Sequence, residues 1–108
     1  MKQSEVKTID IQAKEWFDKV NGNSYFSARI TLNYGMQDAT DCFLPFEYGY
    51  GDFYIDKATQ ELERLGYISP EHYSNGGTQA LWAYCQDKGI VLRTNKQKGC
   101  KKRDLKLL

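Results

Sequence analysis

Two runs of alternating apolar and polar residues, joined by a short turn, restrict this chain more than any other feature. Ile9, Ile11, Ala13 and Phe17 alternate with Thr8, Asp10, Gln12, Lys14 and Trp16, and Phe26, Ala28, Ile30 and Leu32 alternate with Ser27, Arg29, Thr31 and Asn33. Residues two apart share one face of a strand, so each run predicts a strand with one buried side. Between them Asn21-Gly22-Asn23 tolerates the positive φ values of a tight hairpin. A third strand is predicted from Thr40 to Tyr48, with Cys42, Leu44, Phe46 and Tyr48 on one face. Pro45 has no N–H for a central ladder, so this strand is expected at an edge or bulged at that point.

The period then changes. Ile55, Ala58, Leu62 and Leu65 fall at helical intervals, with Asp52 placed to cap the start and Gly66 to stop the end. The segment from Ser69 to Gly77 reads as loop. A shorter helix follows from a Thr78 cap to Lys88, with Leu81, Trp82 and Cys85 inward and Gly89 as terminator. Ile90 to Asn95 reads as strand, Lys96 to Gly99 as turn, and Lys101 to Leu108 as a further strand. The expectation is a single α+β domain over residues 1–108: an antiparallel sheet of three to five strands packed by one or two helices in βββααβ order. The exposed terminal strand would also permit a homodimer by edge pairing.

No apolar run in the 108 residues approaches the roughly 20 that a membrane-spanning helix requires. No apolar stretch follows a basic start, so a cytoplasmic protein without membrane contact is expected. The three cysteines, Cys42, Cys85 and Cys100, are widely spaced and form no C-x-x-C pair, which argues for reduced thiols and against a disulfide framework or a zinc site. His72 is the only histidine and has no announced partner. The Asp38/Asp41 and Glu61/Glu63 pairs read as a solvated face. No metal, cofactor or catalytic group is therefore expected, and the chain reads as a binding protein rather than an enzyme.

Charge is uneven. Arg93, Lys96, Lys98, Lys101, Lys102, Arg103 and Lys106 face only Asp104 between positions 93 and 106, a net of +6, while the rest carries −5. Such an end reads as a solvated terminal strand that lysines protect from pairing, or as a contact surface for phosphate or an acidic partner. The chain also holds fifteen aromatic residues, more than a small core needs. Trp16, Tyr25, Phe43, Tyr50 and Tyr73 fall on outward phases. Tyr48-Gly49-Tyr50-Gly51-Asp52 joins a strand to a helix, but Tyr54 stands where a dinucleotide fingerprint wants its third glycine, and no P-loop lysine follows. Gly49 and Gly51 read first as a tight strand-to-helix turn with the tyrosines packed over it; the other reading is an aromatic recognition element built from Tyr48, Tyr50, Phe53 and Tyr54.

Three segments, Ala13 to Tyr25, Pro45 to Asp52 and Lys101 to Leu105, resemble small accessory proteins encoded by phages and prophages, a group that includes anti-CRISPR and other counter-defence inhibitors. The resemblance implies a compact factor acting in a bacterial host cytoplasm. With the aromatic surplus, it leads to the expectation of a non-enzymatic protein that binds a host or phage protein complex by steric blocking, through Trp16, Arg29, Tyr48, Tyr50, Phe53 and Tyr54. The alternative is a nucleic-acid-binding module using the seven bases of the C-terminal segment and stacked bases on exposed rings.

Overall fold

The computed structural model describes residues 1–70 and 77–106, without the side chains of residues 77–79. His72, Tyr73 and the rest of 71–76, the Thr78 side chain, Leu107 and Leu108 lie outside that description.

The fold is α+β. Strand β1 (Thr8–Asp18) pairs antiparallel with β2 (Asn23–Leu32), setting Ile11 opposite Ile30 and Ala13 opposite Ala28. Gly22 at φ +69° closes the hairpin, its N–H donating to the Asp18 carbonyl at 2.8 Å. β3 (Thr40–Tyr48) lies antiparallel against β2, and β4 (Val91–Gln97) lies parallel against β1, giving the order β3-β2-β1-β4. The fourth strand is parallel because helices carry the chain back before it enters the sheet. The sheet is thus mixed, antiparallel at two of its three pairings.

Helices α1 (Phe53–Arg64) and α2 (Gly77–Lys88) cover one face. Ile9, Ile11, Phe26, Ala28, Ile30, Leu32 and Leu44 pack there with Tyr54, Ile55, Ala58 and Leu62 of α1 and Leu81, Tyr84 and Cys85 of α2. Gly66, at φ +82°, stops α1 as its sequence position predicts; its N–H reaches the Glu63 carbonyl and that of Tyr67 reaches Leu62.

Several expected inward residues point elsewhere. Leu65 follows the helix and is exposed, Trp82 is half exposed while Tyr84 takes the inward place, and Phe17 lies four residues past Ala13, the last buried residue of β1. Asp52 precedes α1 but makes no side-chain capping bond. Of the four carboxylates expected on a solvated face, Glu63 is exposed, and three are engaged: Asp38 accepts from Asn33, Asp41 from Arg29 and Thr31, and Glu61 from Arg64. Asn33, fully buried at φ +55°, also accepts from the Lys7 and Thr8 N–H groups and donates to the Glu5 carbonyl, tying the N-terminus to the hairpin.

The ladder at β3 breaks at Pro45. Leu44 faces Ala28 and Glu47 faces Phe26, so Pro45 and Phe46 together oppose Ser27. This bulge reverses the phase of the strand. Cys42 and Leu44 stay on the helix side, whereas Phe46 and Tyr48, expected with them, are on the other.

No terminal strand forms over the described part of Lys101–Leu108. A short 3-10 turn, Lys102–Lys106, folds over the open face of the sheet and buries Leu105. The Cys100 N–H donates to the Glu15 carbonyl, and Asp104 accepts from the Lys101 N–H. The Leu105 side chain is thus used within the chain; Leu107 and Leu108, the other apolar residues of the expected terminal strand, lie outside the described residues. No helix among the described residues is long and apolar enough to cross a membrane.

Candidate functional site: an aromatic edge beside a basic turn

Register brings Trp16 opposite Tyr25 and Tyr25 opposite Tyr48 on the open face, and the bulge adds Phe46. The Trp16 and Tyr25 ring centres are 5.5 Å apart, those of Tyr25 and Phe46 4.8 Å, both pairs stacked, and Tyr48 meets Tyr25 edge-on at 5.6 Å. Lys102 crosses this group, its ammonium 5.7 Å from the Trp16 ring centre and 6.0 Å from that of Phe46. Trp16 and Tyr25 are consequently partly buried, while Phe43, Phe46 and Tyr48 remain exposed along edge strand β3.

Two apolar hollows flank this edge. Phe43, Pro45, Phe46, Leu105 and Lys106 line an open hollow of about 530 Å³, and the stretch from Tyr48 to Phe53 lines another of about 460 Å³. In the second, Tyr50 is 74% exposed and Phe53 37%. Gly49 is required there by contact, since a Cβ would strike the Phe53 ring and come within 3.1 Å of Phe26.

Of the expected partner-binding residues, Tyr48, Tyr50 and Phe53 come together, with Trp16 adjoining through Tyr25. Tyr54 does not join them: it is 5% exposed and packs in the core, because the first turn of α1 directs it inward. Arg29 lies opposite Phe43, two same-face positions along β2 from Tyr25, and its guanidinium is held 2.7 Å from Asp41. That contact raises the Arg29 pKa and, together with Thr31, holds the Asp41 carboxyl below its ordinary range. Phe46 and Leu105 were not legible as site residues. Pro45 was the signal for Phe46, since a bulge there moves the next residue to the opposite face.

The seven bases of the alternative divide. Arg93 grips Asp10 with two bonds, 2.6 and 2.9 Å, a carboxylate contact that raises its pKa. Lys96, expected in a turn, lies within β4 on the helix side. Its ammonium sits 2.6 Å from Glu15 Oε2, a close ion pair rather than an aligned hydrogen bond, donates to the Gly51 carbonyl at 2.7 Å and lies 5.8 Å from the Tyr54 ring centre. Both are scaffold residues. Lys98, Lys101, Lys102, Arg103 and Lys106 remain exposed.

Burial pushes the Cys42 thiol up, and pushes Cys85 up to about 11. Among the described residues no group of three or more His, Cys, Asp or Glu side chains is placed to hold a metal ion. No protein-family model, curated protein or solved structure matches the chain.

Proposed function

We propose that this chain is a non-enzymatic binding protein that holds a protein partner against the aromatic edge formed by Phe43, Phe46, Tyr48 and Tyr50. The observation that carries the reading is the exposure of Tyr48 and Tyr50 on a glycine-spaced loop while neighbouring Tyr54 anchors that loop in the core. Exposed rings on a fixed scaffold supply large apolar contact area at little entropic cost, which is the usual make-up of an interface centre. The resemblance to phage accessory proteins makes the partner a host or phage protein complex in a bacterial cytoplasm, and the mode of action steric blocking, as in counter-defence inhibition.

Five exposed bases favour a nucleic-acid reading as well. Against it, the Trp16, Tyr25 and Phe46 rings stack on one another, which leaves Phe43, Tyr48 and Tyr50 as the exposed rings of this edge outside the stack.

The test is affinity capture from infected cells with the parent chain and a Tyr48→Ala, Tyr50→Ala variant, beside a plaque assay on a restricting host. A protein retained by the parent and lost by the variant, with plating efficiency falling in parallel, supports the reading. Capture unaffected by the variant refutes it.

A further inference from the structure

We infer that the partner meets this edge beside the C-terminal 3-10 turn with an acidic segment, placing an apolar side chain in the Phe43–Leu105 hollow and its carboxylates against Lys102, Arg103 and Lys106. The inference rests on the docking reading above and specifies its chemistry.

Charge complementarity carries it. Among the described residues none of Lys98, Lys101, Lys102, Arg103 and Lys106 is ion-paired with a carboxylate. The one acid among them, Asp104, is turned back onto the Lys101 N–H at 2.8 Å and onto no base of the turn. The rest of the chain is acidic, so these cations form a positive end that favours association with a negative surface.

The same residues define an apolar seat. Leu105, 2% exposed, forms its floor, Phe43 and Phe46, 50% and 38% exposed, form its walls, and Lys106 stands at its rim. Lys106 therefore belongs to both the hollow and the cation group, and Lys102 lies over the Phe46 ring. A ligand that fills the hollow is placed beside positive charge, which suits a segment that mixes apolar and acidic side chains. Strand addition is not the mode, since Pro45 lacks a donor and the bulge interrupts the edge.

The test uses the full chain and a fluorescein-labelled probe peptide, Glu-Asp-Glu-Leu-Phe-Glu-Asp-Glu, followed by polarisation at low and high salt. The parent should bind and weaken as salt rises, and Arg103→Glu with Lys106→Glu should lose about tenfold or more. Lys88→Glu, on α2, should lose far less. Phe43→Ser should weaken binding about fivefold or more at both salt concentrations with the melting temperature unchanged. Absence of binding at about 1 mM peptide, or equal losses for Lys88→Glu and the Arg103/Lys106 pair, overturns the inference. So does an oligothymidylate that binds more tightly than the peptide through the same residues. If the peptide fails while the Tyr48/Tyr50 variant still loses its captured partner, the acidic-segment inference falls and the docking reading stands.

Discussion

Lys96 and Glu15 form an ion pair between β4 and β1, ammonium to Oε2 2.6 Å, with side chains only 11% and 14% exposed. The Lys96 ammonium also holds the Gly51 carbonyl, so one lysine joins the parallel strand pairing to the loop that carries Tyr50. Replacing Lys96 with Met leaves Glu15 buried without its counter-charge, which costs about 3 kcal/mol. Urea denaturation should show that loss for Lys96→Met, and a substantial recovery when Glu15→Gln is added. A double variant as unstable as the single one would mean that the Gly51 bond, not the charge pair, is the main term.

Tyr50 and Tyr54 lie one helical turn apart in sequence and serve opposite ends. Tyr50→Ala removes a 74% exposed ring and should leave stability within about 0.5 kcal/mol of the parent. Tyr54→Ala empties a core position at 5% exposure and should cost about 3 kcal/mol or more. Thermal melting of the two variants side by side checks this. Equal losses would place Tyr50 in the core and remove it from the interface.

Local signals were sufficient where one period governed one element. Ile9, Ile11 and Ala13 with Asn21-Gly22-Asn23 specified the first hairpin, and Ile55, Ala58 and Leu62 with Gly66 specified α1. What failed depended on partners distant in sequence. Pro45 warned of a bulge, but the reversal of Phe46 and Tyr48 is visible only once Ser27 is seen to face two residues. The alternation of β4 contains Lys96 on the side of Leu92, yet composition groups it with the exposed lysines of the tail. Leu105 reads as one side of a strand; its place beneath the 3-10 turn follows from an apolar open face that needed cover.

Gly49 separates the exposed loop from the core. A methyl group there meets the Phe53 ring first and Phe26 next. Phe26 is 1% exposed and cannot retreat, whereas Phe53, at 37%, can swing outward. Gly49→Ala should therefore cost about 1 to 3 kcal/mol and deform the Tyr48–Phe53 hollow, with amide shifts in a heteronuclear NMR spectrum concentrated at residues 48–53. Shifts spread evenly over the sheet would contradict the assignment of the strain to Phe53.

Cys85 gives stability a defined dependence on alkaline pH. Burial raises its thiol from the ordinary 9.0 to about 11, so between those values the unfolded chain releases a proton that the folded chain keeps. Stability conferred by the neutral thiol is complete below pH 9 and declines as pH rises toward the folded value; a two-unit separation corresponds to roughly 2 to 3 kcal/mol. Other groups titrate in this range, so the informative quantity is the difference between the parent and Cys85→Ala, measured by urea denaturation at successive pH values. That difference should be constant below pH 8 and shift against the parent between pH 9 and 11. The native thiol should accordingly resist a disulfide reagent at pH 8 and react on unfolding. A flat difference across the alkaline range, or ready modification of Cys85 in the native protein, would mean that α2 opens enough for water to reach the thiol.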